Sequence, residues 1–169
     1  EIRKGVTLLH YAIGMRFFET VSFLVEKGAD VNAKDDDGAT PLFYAIQIYD
    51  FKIMDFLVAN GANVNAKLKN GAAPLHFALE IENFEIISFL VENGADVNAG
   101  DYNGRTPFHY AIELGNLEII SFLVKSGADV NATDNKNMTP IFLICYNDNP
   151  LETFNILHDA GSKLNALAD

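Results

Sequence analysis

The sequence predicts an all-α solenoid of helix–turn–helix units joined by β-hairpin-like loops. Two glycine series and one apolar pattern predict it. Gly5, Gly38, Gly71 and Gly104 recur every 33 residues, and Asn137 falls at the next step. Gly28, Gly61, Gly94 and Gly127 keep the same spacing, and Gly161 follows one residue late. Between these marks the apolar residues fall three and four apart, the period of a helix face rather than of a strand. One such unit cannot bury its own apolar face, whereas a stack of them does.

The elements follow in order within each unit. An opening motif stands at Thr40-Pro41-Leu42, Pro74-Leu75-His76, Thr106-Pro107-Phe108-His109 and Thr139-Pro140-Ile141. Thr40 can cap a helix with its hydroxyl, and Pro41 suits the first helical position because its missing N–H would go unpaired there. Leu42, Ala45 and Ile46 then mark the buried side of a short inner helix. Alanine at 12, 45, 78 and 111 lets neighbouring helices approach closely. Ile53, Phe56 and Leu57 mark a second helix, which Asn60-Gly61 ends in a left-handed turn. Asp37-Gly38, Asn70-Gly71 and Asn103-Gly104 are turn pairs that suit the loop returning to the next unit. The units run about 5–37, 38–70, 71–103, 104–136 and 137–169 in a single domain.

The departures from the pattern carry expectations of their own. Leu8 stands where proline stands elsewhere, and the first unit lacks the character of a polar end cap. The parent chain is therefore expected to continue before Glu1. Ala73 occupies the threonine slot and loses a cap hydroxyl worth ~1 kcal/mol. The fifth unit has an extra residue near Asn149-Pro150. It also carries His158 where Val25, Val58, Val91 and Val124 stand, so the array is expected to end near Asp169.

Together with Gly-Ala-Asp-Val-Asn-Ala at Gly94 to Ala99 and its near copies, these motifs resemble the ankyrin-repeat family from Gly5 to the end of the chain. The resemblance implies a scaffold that binds another protein through its hairpin tips and the concave face of its inner helices. The tip slots are Lys34, Asp36 and Asp37; Lys67, Lys69 and Asn70; Tyr102, Asn103 and Arg105; and Asn135 and Lys136. The inner-helix slots are Gly14 and Met15, Gln47 and Ile48, Glu80 and Ile81, and Glu113 and Leu114. His10, His76 and His109 share one slot, which the family uses structurally, and Phe43 and Phe142 fill it in the other units. Asn32, Asn65, Asn98, Asn131 and Asn165 fill the slot that asparaginyl hydroxylases modify in some ankyrin proteins. The reading preferred for them is hydrogen bonding within the hairpin.

Met15, Ile48, Ile81 and Leu114 recur in a slot commonly polar in the family. They form either an exposed apolar stripe that marks an interface or a row packed against the neighbouring second helices. The two readings predict opposite results for Ile81→Asp with Leu114→Asp: lost binding, or lost fold.

Composition excludes several functions. A net charge of −11 opposes nucleic acid and anionic membranes, both of which attract lysine and arginine. No apolar run approaches the ~18 residues of a membrane span. Charge is uneven: residues 38–70 hold three basic and two acidic side chains, residues 71–103 none and six. Calcium loops are excluded because Ala33 and Ala99 stand at the first ligand position, and Tyr44 and Tyr110 at the twelfth. Glu80 and Glu82, two apart on a helix, do not face each other and suit a solvated surface. Cys145, the only cysteine, is expected to be a buried apolar thiol, and His158 a surface residue. No phosphate loop or nucleophile elbow is present. The reading is a non-enzyme without metal or cofactor, intracellular and cytoplasmic, and monomeric as a fragment. Its alternative is a structural spacer or self-association segment of a longer array.

Overall fold

A computed structural model describes residues 5–163. Four α-helical pairs come first: α1 (Leu8–Gly14) with α2 (Phe18–Glu26), α3 (Pro41–Gln47) with α4 (Phe51–Ala59), α5 (Pro74–Glu80) with α6 (Phe84–Glu92), and α7 (Pro107–Leu114) with α8 (Leu117–Lys125). A fifth pair joins a 3-10 helix (Pro140–Tyr146) to α9 (Pro150–Asp159). No strand occurs among the described residues. The inner helices stack in sequence, α1 on α3, α3 on α5, α5 on α7 and α7 on the 3-10 helix.

Among the outer helices, the starts of α4, α6 and α8 are capped by side chains, and those of α2 and α9 are not. Ile53 N–H donates to Asp50 at 3.1 Å, Ile86 N–H to Asn83 at 2.9 Å, and Ile119 N–H to Asn116 at 3.2 Å. Their ends turn at Gly28, Gly61, Gly94, Gly127 and Gly161, all at positive φ. There a left-handed residue lets the last carbonyls find partners, which favours glycine.

The core is one continuous apolar cluster. Ala12, Ala45, Ala78 and Ala111 are buried at the inner-helix contacts, with Ile13, Ile46, Leu79 and Ile112 beside them. Between outer helices the phenylalanines interlock edge to face, Phe18 with Phe56, Phe51 with Phe89, and Phe84 with Phe122, at centroid separations of 5.5, 6.3 and 5.4 Å. This is the preferred approach of two ring quadrupoles.

Three expectations need correction. Thr40 makes no cap bond with its hydroxyl, which is buried without a partner. Cys145 is exposed rather than buried. It lies on the 3-10 helix, whose three residues per turn rotate it away from the core that Leu143 and Ile144 still reach. The asparagines do not bond only within their own hairpins. Asn32, Asn65, Asn98 and Asn131 each donate Nδ2–H to a glycine carbonyl of the next unit, at 2.9–3.1 Å. Their Oδ1 atoms accept the N–H of Asn63, Asp96, Asp129 and Lys163. Asn165 lies outside the described residues.

Candidate functional site

The tips are shaped by inward-turned carboxylates. Asp35 is buried: its Oδ1 accepts from the N–H of Asp37 and Ala39, and its Oδ2 from the Tyr44 hydroxyl at 2.9 Å. Asp101 repeats the arrangement with the N–H of Asn103 and Arg105 and with the Tyr110 hydroxyl at 2.8 Å. Burial acts to raise the Asp101 carboxyl, yet the Tyr110 hydroxyl and the two N–H groups overcome it and hold its pKa below the usual value. Tyr110, half-buried and bonded to that carboxylate, is pushed up to about 12. One period beyond Asp35 and Tyr44 the matching residues are Leu68 and Phe77, so carboxylate and hydroxyl disappear together.

Successive tips are tied by single backbone bonds. Lys69 N–H donates to Asp37 O, Tyr102 N–H to Asn70 O, and Asn135 N–H to Asn103 O, at 2.9, 3.1 and 2.8 Å. These bonds present Asp36, Asp37, Lys69, Asn70, Tyr102, Asn103, Asn135 and Lys136 along one exposed edge. Tyr102 is 68% exposed. Lys34 and Lys67 are partly committed to the fold, donating Nζ–H to Lys67 O at 3.2 Å and Gly100 O at 2.7 Å.

On the inner helices Gln47, Glu80 and Glu113 are exposed. Met15 is 47% exposed, whereas Ile48, Ile81 and Leu114 are half-buried and packed against the core. The four therefore form no continuous exposed stripe. Arg105 bridges tip and helix: its guanidinium sits 4.3 Å from the Tyr110 ring centroid, and Nη2 lies 2.6 Å from Glu113 Oε2. The Glu113 contact is an ion pair rather than an aligned hydrogen bond.

Sequence reasoning missed a row of rings beside these residues. Tyr11, Tyr44, Phe77 and Tyr110 are spaced by 33 and lie on the inner-helix face, Tyr11 exposed and the other three half-buried. The 33-residue recurrence of an aromatic was the available signal. Phe77, Tyr44, Phe43, Gln47 and Leu68 help line a recess of about 160 Å³ between the second and third units.

The histidines hold units together. Nε2 of His10, His76 and His109 lies 3.2, 3.1 and 3.1 Å from the carbonyls of Ala39, Arg105 and Met138. Nδ1 of each accepts the N–H of Thr7, Ala73 or Thr106. A carbonyl only accepts and an N–H only donates, which fixes each ring as the neutral Nε2–H tautomer. Burial lowers the pKa of all three below the ordinary histidine value. Nδ1 is thus occupied in each ring. His158 is exposed at the far end of the chain.

No helix among the described residues is long and apolar enough to cross a membrane. A family model for ankyrin repeats, itself three copies long, matches residues 1–68, 47–134 and 101–168. No curated protein matches the chain. With the family matched from one end to the other and the helix pairs stacked at the same period, the chain belongs to the ankyrin-repeat family.

Proposed function

We propose that the chain is a protein-recognition scaffold that binds a partner through its tips and the inner-helix face. The supporting observation is the partly uncovered row Tyr11, Tyr44, Phe77 and Tyr110, running beside the exposed polar edge of the tips. Aromatic rings next to polar groups are the surface chemistry enriched where proteins meet. Tip charges such as Lys69 and Lys136 then set on-rate and specificity more than affinity. The role is that of an adaptor within an intracellular protein, with no catalytic step.

The test is capture of partners from cell lysate by the wild type and by a variant carrying Tyr11→Ala, Lys69→Ala and Tyr102→Ala. All three positions are exposed, so the variant keeps its helical circular dichroism. A protein held by the wild type and released by the folded variant supports the reading. Equal retention by both rejects this face. The pair Ile81→Asp and Leu114→Asp is unsuitable as a control, because both side chains pack on the core.

A further inference from the structure

Arg105, Tyr110 and Glu113 form a filled recognition set within the fold. The guanidinium lies over the ring face and against the carboxylate, as the distances above show. One unit earlier the same three positions hold Ala72, Phe77 and Glu80. The ring and the carboxylate are repeated, and the cation is not. Glu80 is exposed and has no ion pair among the described residues. Its unit, residues 71–103, contains six acidic and no basic side chains, so no cation of that unit can fill the place. Ala72 is a methyl group where the arginine stem would otherwise run. The other units lack one part or more: Ala39, Tyr44 and Gln47 have no carboxylate, and Met138, Leu143 and Tyr146 have neither the carboxylate nor the same ring.

Resting on the protein-recognition reading, we propose that Phe77 and Glu80 form the site for an arginine side chain of the partner. The guanidinium lies on the Phe77 ring and pairs with Glu80, in the place that Arg105 occupies against Tyr110 and Glu113. An apolar residue next to that arginine enters the recess walled by Phe43, Leu68 and Phe77. Arginine fits better than lysine, because its planar, weakly hydrated cation both stacks and pairs. Phe77 also has no hydroxyl, and Leu68 stands where Asp101 holds Tyr110, so its edge is not tied down as that of Tyr110 is.

The experiment selects binders to the immobilised wild-type protein from a random-peptide library displayed on phage. The expected peptides share an arginine flanked by an apolar residue. Their affinity falls about tenfold or more when that arginine is replaced by citrulline, when Glu80→Gln removes the carboxylate, and when Ala72→Arg fills the place from within. Melting temperature checks that Ala72→Arg remains folded, and Glu80→Gln, at an exposed position, keeps the test decisive if it does not. Enriched peptides without arginine, or affinity that survives both variants, overturn the arginine site and leave protein recognition standing. A selection that enriches no peptide on the inner-helix face counts against both.

Discussion

At the scale of single residues, the pairing of threonine with histidine explains which hydroxyls are satisfied. Thr7 and Thr106 stand three residues before a histidine, and their Oγ1 atoms lie 2.9 Å from Nδ1. Thr40 and Thr139 stand three residues before Phe43 and Phe142, and their hydroxyls are buried without a partner. A buried hydroxyl that bonds contributes about 1 kcal/mol, and one that does not bond is a net cost. Thr106→Val should therefore lower stability by about 1 kcal/mol, while Thr40→Val leaves it unchanged or raises it. Urea unfolding of the two variants checks this, and equal losses would show that the histidine is irrelevant to the threonine. The threonine and histidine slots were legible in the sequence, and so was their structural role. Which threonine would go unsatisfied was legible only by pairing each with its third neighbour, because Thr40 viewed alone has every feature of a cap.

At the scale of the element, α1, α3, α5 and α7 each have a left-handed residue just beyond their ends, yet only α7 has glycine there, and the 3-10 helix is followed by extended backbone instead. Arg16, Tyr49 and Glu82 adopt φ of 59°, 56° and 53°. Gly115 has φ 69° at the same place. The extra residue of the fifth unit accounts for the difference. Asn147 is pressed against α7, donating Nδ2–H to Ile112 O at 3.1 Å, and a Cβ on Gly115 would come 2.8 Å from that of Asn147. Gly115→Ala combines that clash with a left-handed penalty and should cost about 2 kcal/mol or more. Glu82→Gly removes a left-handed penalty of about 1 kcal/mol, partly offset by the greater freedom of glycine in the unfolded chain, so it stays within about 0.5 kcal/mol of the wild type. Denaturation midpoints separate the two, and a harmless Gly115→Ala would refute the contact. The extra residue was visible in the sequence near Asn149-Pro150. The 3-10 geometry of the fifth inner helix, on which Cys145 is exposed, was not, because a period shows where an insertion falls and not how the helix before it is wound.

At the scale of the molecule, long-range order comes from bonds that step from unit to unit: asparagine amides, tip backbones and histidine rings. The repeat period made the stacking legible, but these bonds join residues about 29 to 33 apart, so no local pattern shows them. The histidine rings make the stack sensitive to pH. In the folded chain each is neutral, because Nδ1 faces an N–H that cannot accept a proton and burial opposes the charge. Unfolding returns each to its ordinary value near 6.5. Below that value the unfolded chain binds protons that the folded chain refuses, so stability is complete above about pH 7 and falls as pH drops toward the lowered folded values. Asp101, whose folded pKa is lowered from 3.8, acts in the same direction but only near and below that ordinary value, in more acidic solution. The mildly acidic loss therefore belongs to the histidines. Melting temperature should fall between about pH 7 and pH 5, and less steeply in His76→Phe, which places the residue of the Phe43 and Phe142 slots in a third unit. If the slope is unchanged in that variant, the His76 ring takes up its proton as readily folded as unfolded, and its contact with the Ala73 N–H does not hold in solution. If the slope falls, the ring that links the third unit to the fourth is one of the groups that set how far the array withstands acid.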